Sequence, residues 1–172
     1  MSVSKTATGG NKPDVLVRRL TEADCPAWLS MRQALWMGTD ATTFAARDGT
    51  LFTEPERYGA IRYEALVALI GGRAVGFIEV SLRDDIEGFA DQTVAYVEGV
   101  FVEIAHRGTG LGSLLIAAAL DWMRSTGAVD LVSDVTGENP DSVAFHQRSG
   151  FRVVSDTQKD GKRHVLLVRR AS

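Results

Sequence analysis

The stretch VEGVFVEIAHRGTGLGSLLIAAAL, residues 97–120, changes character midway. Its first part reads as a strand and its last part as an apolar helix. Between them Arg107 precedes Gly108, Gly110 and Gly112, more glycine than a turn requires. A helix N-terminus offers unpaired N–H groups and a partial positive charge, and so attracts anions. Glycines let the backbone approach a ligand without a β-carbon in the way, and Arg107 adds fixed positive charge at the entrance. RGTGLG therefore reads as a loop built to hold a phosphate or pyrophosphate. The alternative is a glycine-rich turn that packs the helix closely onto the sheet.

Working outward, DVLVRRL (14–20) reads as a strand. A helix follows, with Thr21 and Asp24 as a capping pair, Pro26 in the first turn and apolar residues at helical spacing. A polar stretch runs from Gly38 to Thr50, and a second short helix is expected near Thr53, with Pro55 in its first turn. Gly71-Gly72 between two apolar runs signals a hairpin, and an acidic loop then leads to the strand before the glycines. Leu111 to Arg124 is a helix stopped by Gly127. VDLVSDV is a strand, NPDSVAFHQRSGF a helix ending at Gly150, and FRVVSD and HVLLVRR a hairpin turned at Asp160-Gly161. The order is βααβββαβαββ, which predicts an α/β (α+β) fold with a central mixed sheet and helices on both faces.

With 172 residues, 45% of them hydrophobic, the chain fits one compact domain over residues 14–172, after a disordered leader at 1–13. The longest strongly apolar run, Leu114 to Leu120, is far short of the ~18 residues that span a bilayer. The N-terminus has no apolar signal-peptide core, so a soluble cytoplasmic protein is expected. Cys25 is the lone cysteine, which leaves no internal disulfide and no cysteine-based zinc cluster; no metal is expected. A net charge of −3 argues against nucleic acid and anionic membrane as partners. Six acids (Glu79, Asp84, Asp85, Glu87, Asp91, Glu98) face one base, Arg83, between residues 79 and 98. That run is either a solvated loop or a mouth that attracts a cationic ligand.

Three phosphate-loop patterns compete. A P-loop ends in Gly-Lys-Ser/Thr, and here Gly112 is followed directly by Ser113. A Rossmann fingerprint needs G-x-G-x-x-G at the strand end; the spacing here is G-x-G-x-G after EIAHR, although Asp134 on the next strand could serve as the ribose-binding acid. Arg107-x-x-Gly110-x-Gly112 instead resembles the acetyl-CoA pyrophosphate loop of the GCN5-related N-acetyltransferases (GNAT), and the resemblance extends over about residues 14–170. It implies acetyl-CoA as cosubstrate, with a strand that splays from its neighbour and pairs Val100, Phe101 and Val102 with the pantetheine arm. The amides of Gly108, Thr109, Gly110, Leu111, Gly112 and Ser113 would face the pyrophosphate, and Asn139 matches the family's cofactor-contacting asparagine. Many members carry a tyrosine as general acid in the last helix; here His146 takes that place, as proton donor or as a polar packing residue.

RQALW, FIEVSLRDD, VEGVFV, SDVTGEN and FHQRSGF together resemble the aminoglycoside 6'-N-acetyltransferases within that superfamily. The resemblance implies that Trp36, Glu98 and Asp134 line a pocket for a small polycationic amine, and implies a link to antibiotic resistance. Carboxylates suit a polycation, and one of them can take the proton that the attacking amine must lose. Asp134 is the expected base, with Glu98 positioning the acceptor. Glu98 and Val100 are expected to share a face as residues i and i+2 of a strand. Each residue also has a plainer reading: strand-end carboxylates bonding local N–H groups for Glu98 and Asp134, core burial for Trp36. Acetylation of a polyamine, metabolite or protein terminus, a non-catalytic acyl-CoA-binding module and a dinucleotide-dependent oxidoreductase remain as alternatives. The resembling enzymes are commonly dimers, so a homodimer is a further open expectation.

Overall fold

The computed structural model describes residues 5–6, 14–36 and 43–171. Lys5–Thr6 (β1) and Val15–Arg19 (β2) lead into Cys25–Leu35 (α1), Thr43–Asp48 (α2) and Thr50–Thr53 (α3). Arg62–Ile70 (β3), Arg73–Arg83 (β4) and Val94–Val102 (β5) follow. Leu111–Thr126 (α4), Asp130–Thr136 (β6), Pro140–Arg148 (α5), Arg152–Lys159 (β7) and Lys162–Arg170 (β8) complete the described chain. The strands form one eight-stranded sheet in the order β1-β2-β3-β4-β5-β6-β8-β7. Every neighbouring pair is antiparallel except β5 and β6, so the sheet is mixed, as expected.

Local chemistry explains the connections. Gly71-Gly72 and Asp160-Gly161, all with positive φ, make the two-residue hairpin turns that join β3 to β4 and β7 to β8. Thr21 and Asp24 form the capping box, but on a single 3₁₀ turn, and α1 begins one residue later, at Cys25. Asp24 accepts from the Thr21 amide (2.8 Å) and hydroxyl (2.7 Å) and pairs with Arg18 (2.6 Å). The Arg18 guanidinium is the main reason its carboxyl is held down to about 2.

α4 packs the buried side chains Leu115, Ile116, Ala119 and Met123 against one face of the sheet. α1 and α3 cover the other, where Trp28, Leu51, Tyr63 and Phe77 form a second buried cluster. Helices thus lie on both faces, and the central strand β4 has no solvated side.

Two expectations change. The short helix expected near Thr53 is α3 followed by a 3₁₀ turn at Pro55–Tyr58; Glu54, which precedes proline, leaves the helical region (φ −134, ψ 52) and separates the two. Of the polar stretch from Gly38 to Thr50, residues 38–42 lie outside the described residues, and the rest is largely α2. Most of the expected leader also lies outside them; within it, Lys5–Thr6 pairs with β2, whose edge it covers.

Glu79, the first acid of the expected mouth, is fully buried at 0% exposure. It lies on β4 facing α1, where it accepts from Arg32 (2.9 Å), the Trp28 indole N–H (2.9 Å) and the Tyr63 hydroxyl. A buried charge needs such partners, and none of them is its neighbour in sequence.

Candidate functional site

The site begins at a fault in the sheet. Along β4 and β5, Glu79 pairs with Gly99 and Val80 with Val97, so Glu98 is an extra residue, a β-bulge. Bulges bend a strand and increase its twist. Beyond it β5 leaves β6: the two pair only at Ala95–Leu131 and Tyr96–Val132. Residues 97–102 therefore have no ladder partner on the β6 side.

The bulge also overturns the expectation that Glu98 and Val100 share a face. Val100 packs with the α4-side core, whereas Glu98 bonds Ser81 and Arg83 on the face that carries Glu79 and Tyr63. An inserted residue breaks the period of two on which that expectation rested.

A cavity of about 380 Å³ opens along the free part of β5. It brings together Val100, Phe101, Val102, Arg107, Gly108, Gly112 and Asn139. The N–H groups of Leu111, Gly112 and Ser113 precede the first helical bond of α4, from Leu114 N to Gly110 O (3.1 Å), and have no partner within the helix. The Leu111 side chain is buried, while Thr109 and Ser113 are exposed, so the segment offers backbone rather than side chains. Gly108 and Gly110 have φ of 73° and 92°, and a β-carbon on either would meet nothing within 4 Å, which leaves their approach open. Gly112 serves packing instead: a β-carbon there would stand 2.6 Å from the Phe145 ring of α5. The glycines thus differ in kind: Gly108 and Gly110 leave their backbone open, and Gly112 lets α5 come close to α4.

The other predicted members of this cavity carry structural duties as well. Arg107 folds over the Phe101 ring (5.7 Å), and its Nε donates to the Val102 carbonyl (2.9 Å). Asn139 is the N-cap of α5: its side-chain oxygen accepts from the Ser142 amide (3.1 Å), which leaves its NH₂ group for a ligand. A pyrophosphate fits this donor set, and an extended amide-bearing arm fits the unpaired strand 100–102.

His146 does not line either cavity of the site; its neighbours Ser142 and Phe145 line the first. It is 3% exposed, its Nδ1–H donates to the Ser142 carbonyl (2.8 Å) and its Nε2 accepts from the Ser133 hydroxyl (2.9 Å). Burial pushes the imidazole below its ordinary value. Both nitrogens are engaged and the ring is neutral, an arrangement that fits packing and leaves no proton aimed at a ligand.

A second cavity, of about 690 Å³, lies between the acidic loop, the start of the split and the β7–β8 hairpin. Asp134 lines it, accepting from the Tyr96 hydroxyl and from Thr136 Oγ1 (3.2 Å). Burial first, and then the Asp134 charge, push the Tyr96 phenol far above its ordinary value, so the proton stays on Tyr96. Ile86 and Phe89 pin the loop against Tyr96, and Asp85 and Glu87 face the cavity. Its lining holds four acids (Asp85, Glu87, Asp134, Asp160) against two bases (Arg152, Lys159), together with His164. The imbalance favours a cation, and it survives the loss of Glu79 to the core.

Glu98 and Trp36 are not in that lining. Glu98 is held by Arg83 (2.7 Å) and Ser81 (2.5 Å). Half-buried Trp36 lies against Gly99, the Phe77 ring (6.3 Å) and the Arg32 guanidinium (4.6 Å). Sequence reasoning missed Tyr96 and the role of Arg83. The lone base in an acidic run was a usable signal for Arg83; Tyr96 had none, because its partner Asp134 lies 38 residues away.

The acetyltransferase (GNAT) family model matches residues 25–151. The aminoglycoside N(6')-acetyltransferase type 1 of Stenotrophomonas maltophilia is 32% identical over 142 residues, covering 78% of this chain and 84% of the relative. The structure of AAC(6')-Iy in complex with a bisubstrate analogue of CoA and acetylneamine superposes with a TM-score of 0.69 at 29% identity, covering 84% of this chain and 98% of that one. The ribosomal-protein-alanine N-acetyltransferase of Brucella melitensis gives 0.68 at 25% identity, with 91% and 99% coverage. These matches set aside the dinucleotide-binding and P-loop readings.

Proposed function

The chain belongs to the acetyltransferase (GNAT) family and is an acetyl-CoA-dependent N-acetyltransferase, and we propose that its acceptor is the 6'-amine of an aminoglycoside. One observation carries this reading: Asp134, oriented by Tyr96 and Thr136, lines a net-acidic cavity at the point where β5 and β6 part. A polycationic sugar needs carboxylates at fixed points, and this cavity supplies them. The relatives that act on aminoglycosides support the same class of acceptor.

In this reading the backbone of 100–102 and the amides of 108–113 hold acetyl-CoA, with Arg107 and the Asn139 amide group at the loop. Acetyl-CoA would supply the acetyl thioester; the acceptor amine attacks its carbonyl carbon directly in a ternary complex, the C–N bond forms as the C–S bond breaks, and CoA leaves as a thiolate that takes its proton from water. Asp134 binds the acceptor ammonium and takes its proton, directly or through one water, because a protonated amine has no lone pair. Tyr96 and Thr136 each occupy one oxygen of that carboxylate and fix its plane. Glu98, already paired with Arg83, acts on the wall behind the cavity, not on the attacking amine.

Thiol release from acetyl-CoA tests the proposal, with kanamycin, tobramycin, a 6'-hydroxyl aminoglycoside, a polyamine and an alanine-terminated peptide as acceptors. The two 6'-amine drugs should turn over and the 6'-hydroxyl drug should not. A second reading, acetylation of a protein N-terminus, is favoured by the likeness to the ribosomal-protein-alanine enzyme. Faster turnover of the peptide than of either drug would establish it instead.

A further inference from the structure

Arg83, the one base in the sequence between Glu79 and Glu98, pairs with Glu98 and lies beside the Tyr96 ring that orients Asp134. Its Nε and Nη2 lie 2.7 and 2.6 Å from Glu98 Oε1. Its terminal nitrogens also donate to the carbonyls of Gly59 (2.8 Å) and Tyr58 (3.2 Å). The guanidinium carbon is 5.5 Å from the centre of the Tyr96 ring, whose hydroxyl donates to Asp134, and Asp85 of the acidic loop is 3.9 Å away. Side-chain exposures of 16% and 17% bury most of the Arg83–Glu98 pair behind the cavity wall. Gly59, whose φ of 72° ends the 3₁₀ turn at Pro55–Tyr58, presents one of the carbonyls that Arg83 bonds.

We propose that Arg83 sets the acceptor specificity of this enzyme as a built-in counter-ion that cancels Glu98. The proposal rests on the reading of the acceptor cavity given above. A polycation in the cavity meets the combined field of Arg83 and Glu98, which is that of a dipole and dies away faster than that of a single charge. Removing Arg83 turns the pair into an anion; removing Glu98 turns it into a cation. The charge behind Tyr96 therefore decides how many ammonium groups an acceptor can usefully carry, while Asp134 serves the one that reacts.

The test is a charge series read by calorimetry and steady-state kinetics: wild type, Arg83→Gln, Glu98→Gln and the double variant, each with kanamycin and with neomycin, which carries more amines. Arg83→Gln should bind the drugs most tightly and Glu98→Gln least, with the double variant beside wild type. Steps of about five- to tenfold are expected for one charge in a half-solvated site, larger for neomycin and smaller at high salt. Acetyl-CoA affinity should be the same in all four, which a merely structural role would not guarantee. A double variant weaker than both single variants, or Arg83→Gln weakening binding as much as Glu98→Gln, overturns the proposal. Should Arg83→Gln not fold, Glu98→Gln against the double variant carries the same comparison: the double should bind more tightly, and weaker or equal binding overturns the proposal. Wild type that binds acetyl-CoA but neither drug overturns the underlying reading and this proposal with it; normal wild-type binding with an unranked series overturns this proposal alone.

Discussion

The indole of Trp36 lies on the backbone of Gly99: a β-carbon at position 99 would stand 2.7 Å from Trp36 Cζ2 and 2.9 Å from Leu35 Cδ2. Phe77 and Arg32 hold the other sides of the indole, so it has little room to retreat. Gly99→Ala should therefore push the end of α1 off the sheet and cost about 1–3 kcal/mol, the usual range for overpacking. Urea denaturation checks this as a lower midpoint with an unchanged slope.

The glycine loop separates charge from conformation at position 110. Its φ of 92° is one that asparagine and aspartate tolerate better than other side chains. Gly110→Asn should keep most acetyl-CoA affinity, and Gly110→Asp should lose it by setting a negative charge against the pyrophosphate. Calorimetry with acetyl-CoA measures both; equal losses would mean that shape, not charge, governs the loop.

The buried pair of Arg32 and Glu79, 2.9 Å apart, is a stability element outside both cavities. Glu79→Gln removes the carboxylate charge that this guanidinium faces in the core, and breaking such a buried pair costs about 3–5 kcal/mol. Arg32→Met together with Glu79→Leu should be less destabilising than Glu79→Gln alone. Chemical denaturation of the two variants gives the comparison.

Asp134→Asn keeps the shape of the side chain and removes its charge. If Asp134 takes the proton, kcat should fall by about 10²–10⁴ and the acidic limb of the pH–rate profile should flatten. A raised KM with kcat spared would make it a binding group, with water as the proton acceptor.

His146 predicts a pH dependence of stability, not of the chemical step. Burial holds its imidazole below the ordinary value of 6.5, outweighing the Ser142 carbonyl and Asp134, which push it up. Below 6.5 the unfolded chain takes up a proton that the folded chain refuses, so folding is progressively penalised. Stability from this group is whole above 6.5 and is lost as pH falls through the depressed value. The melting temperature of wild type should drop more between pH 7 and pH 5 than that of His146→Gln; parallel curves would assign the acid loss to other groups.

Residues close together in the chain were legible from sequence. Gly71-Gly72 and Asp160-Gly161 fixed two hairpins because their turns need positive φ, and the apolar period marked α1 and α4. The run from Arg107 to Ser113 was legible as a glycine loop opening a helix N-terminus, because both are set over a few residues. What the tertiary structure decided depended on contacts between distant segments. Glu79 reads as one more acid of a solvated run until β4 is covered on both faces and Arg32, 47 residues earlier, arrives as its partner. A bulge at Glu98 cannot be read from β5 alone, because it exists only against the register of β4, and that one inserted residue moved Glu98 to the opposite face from Val100. Gly112 serves packing because Phe145, on another helix, lies against it. His146 bonds Ser133 of β6 as well as Ser142 of its own helix, a pairing that exists only once α5 packs beside β6. Sequence fixes which groups are present and the local geometry they prefer; burial and pairing, which set their charge and their role, arise only when the sheet and its two helical layers close around them.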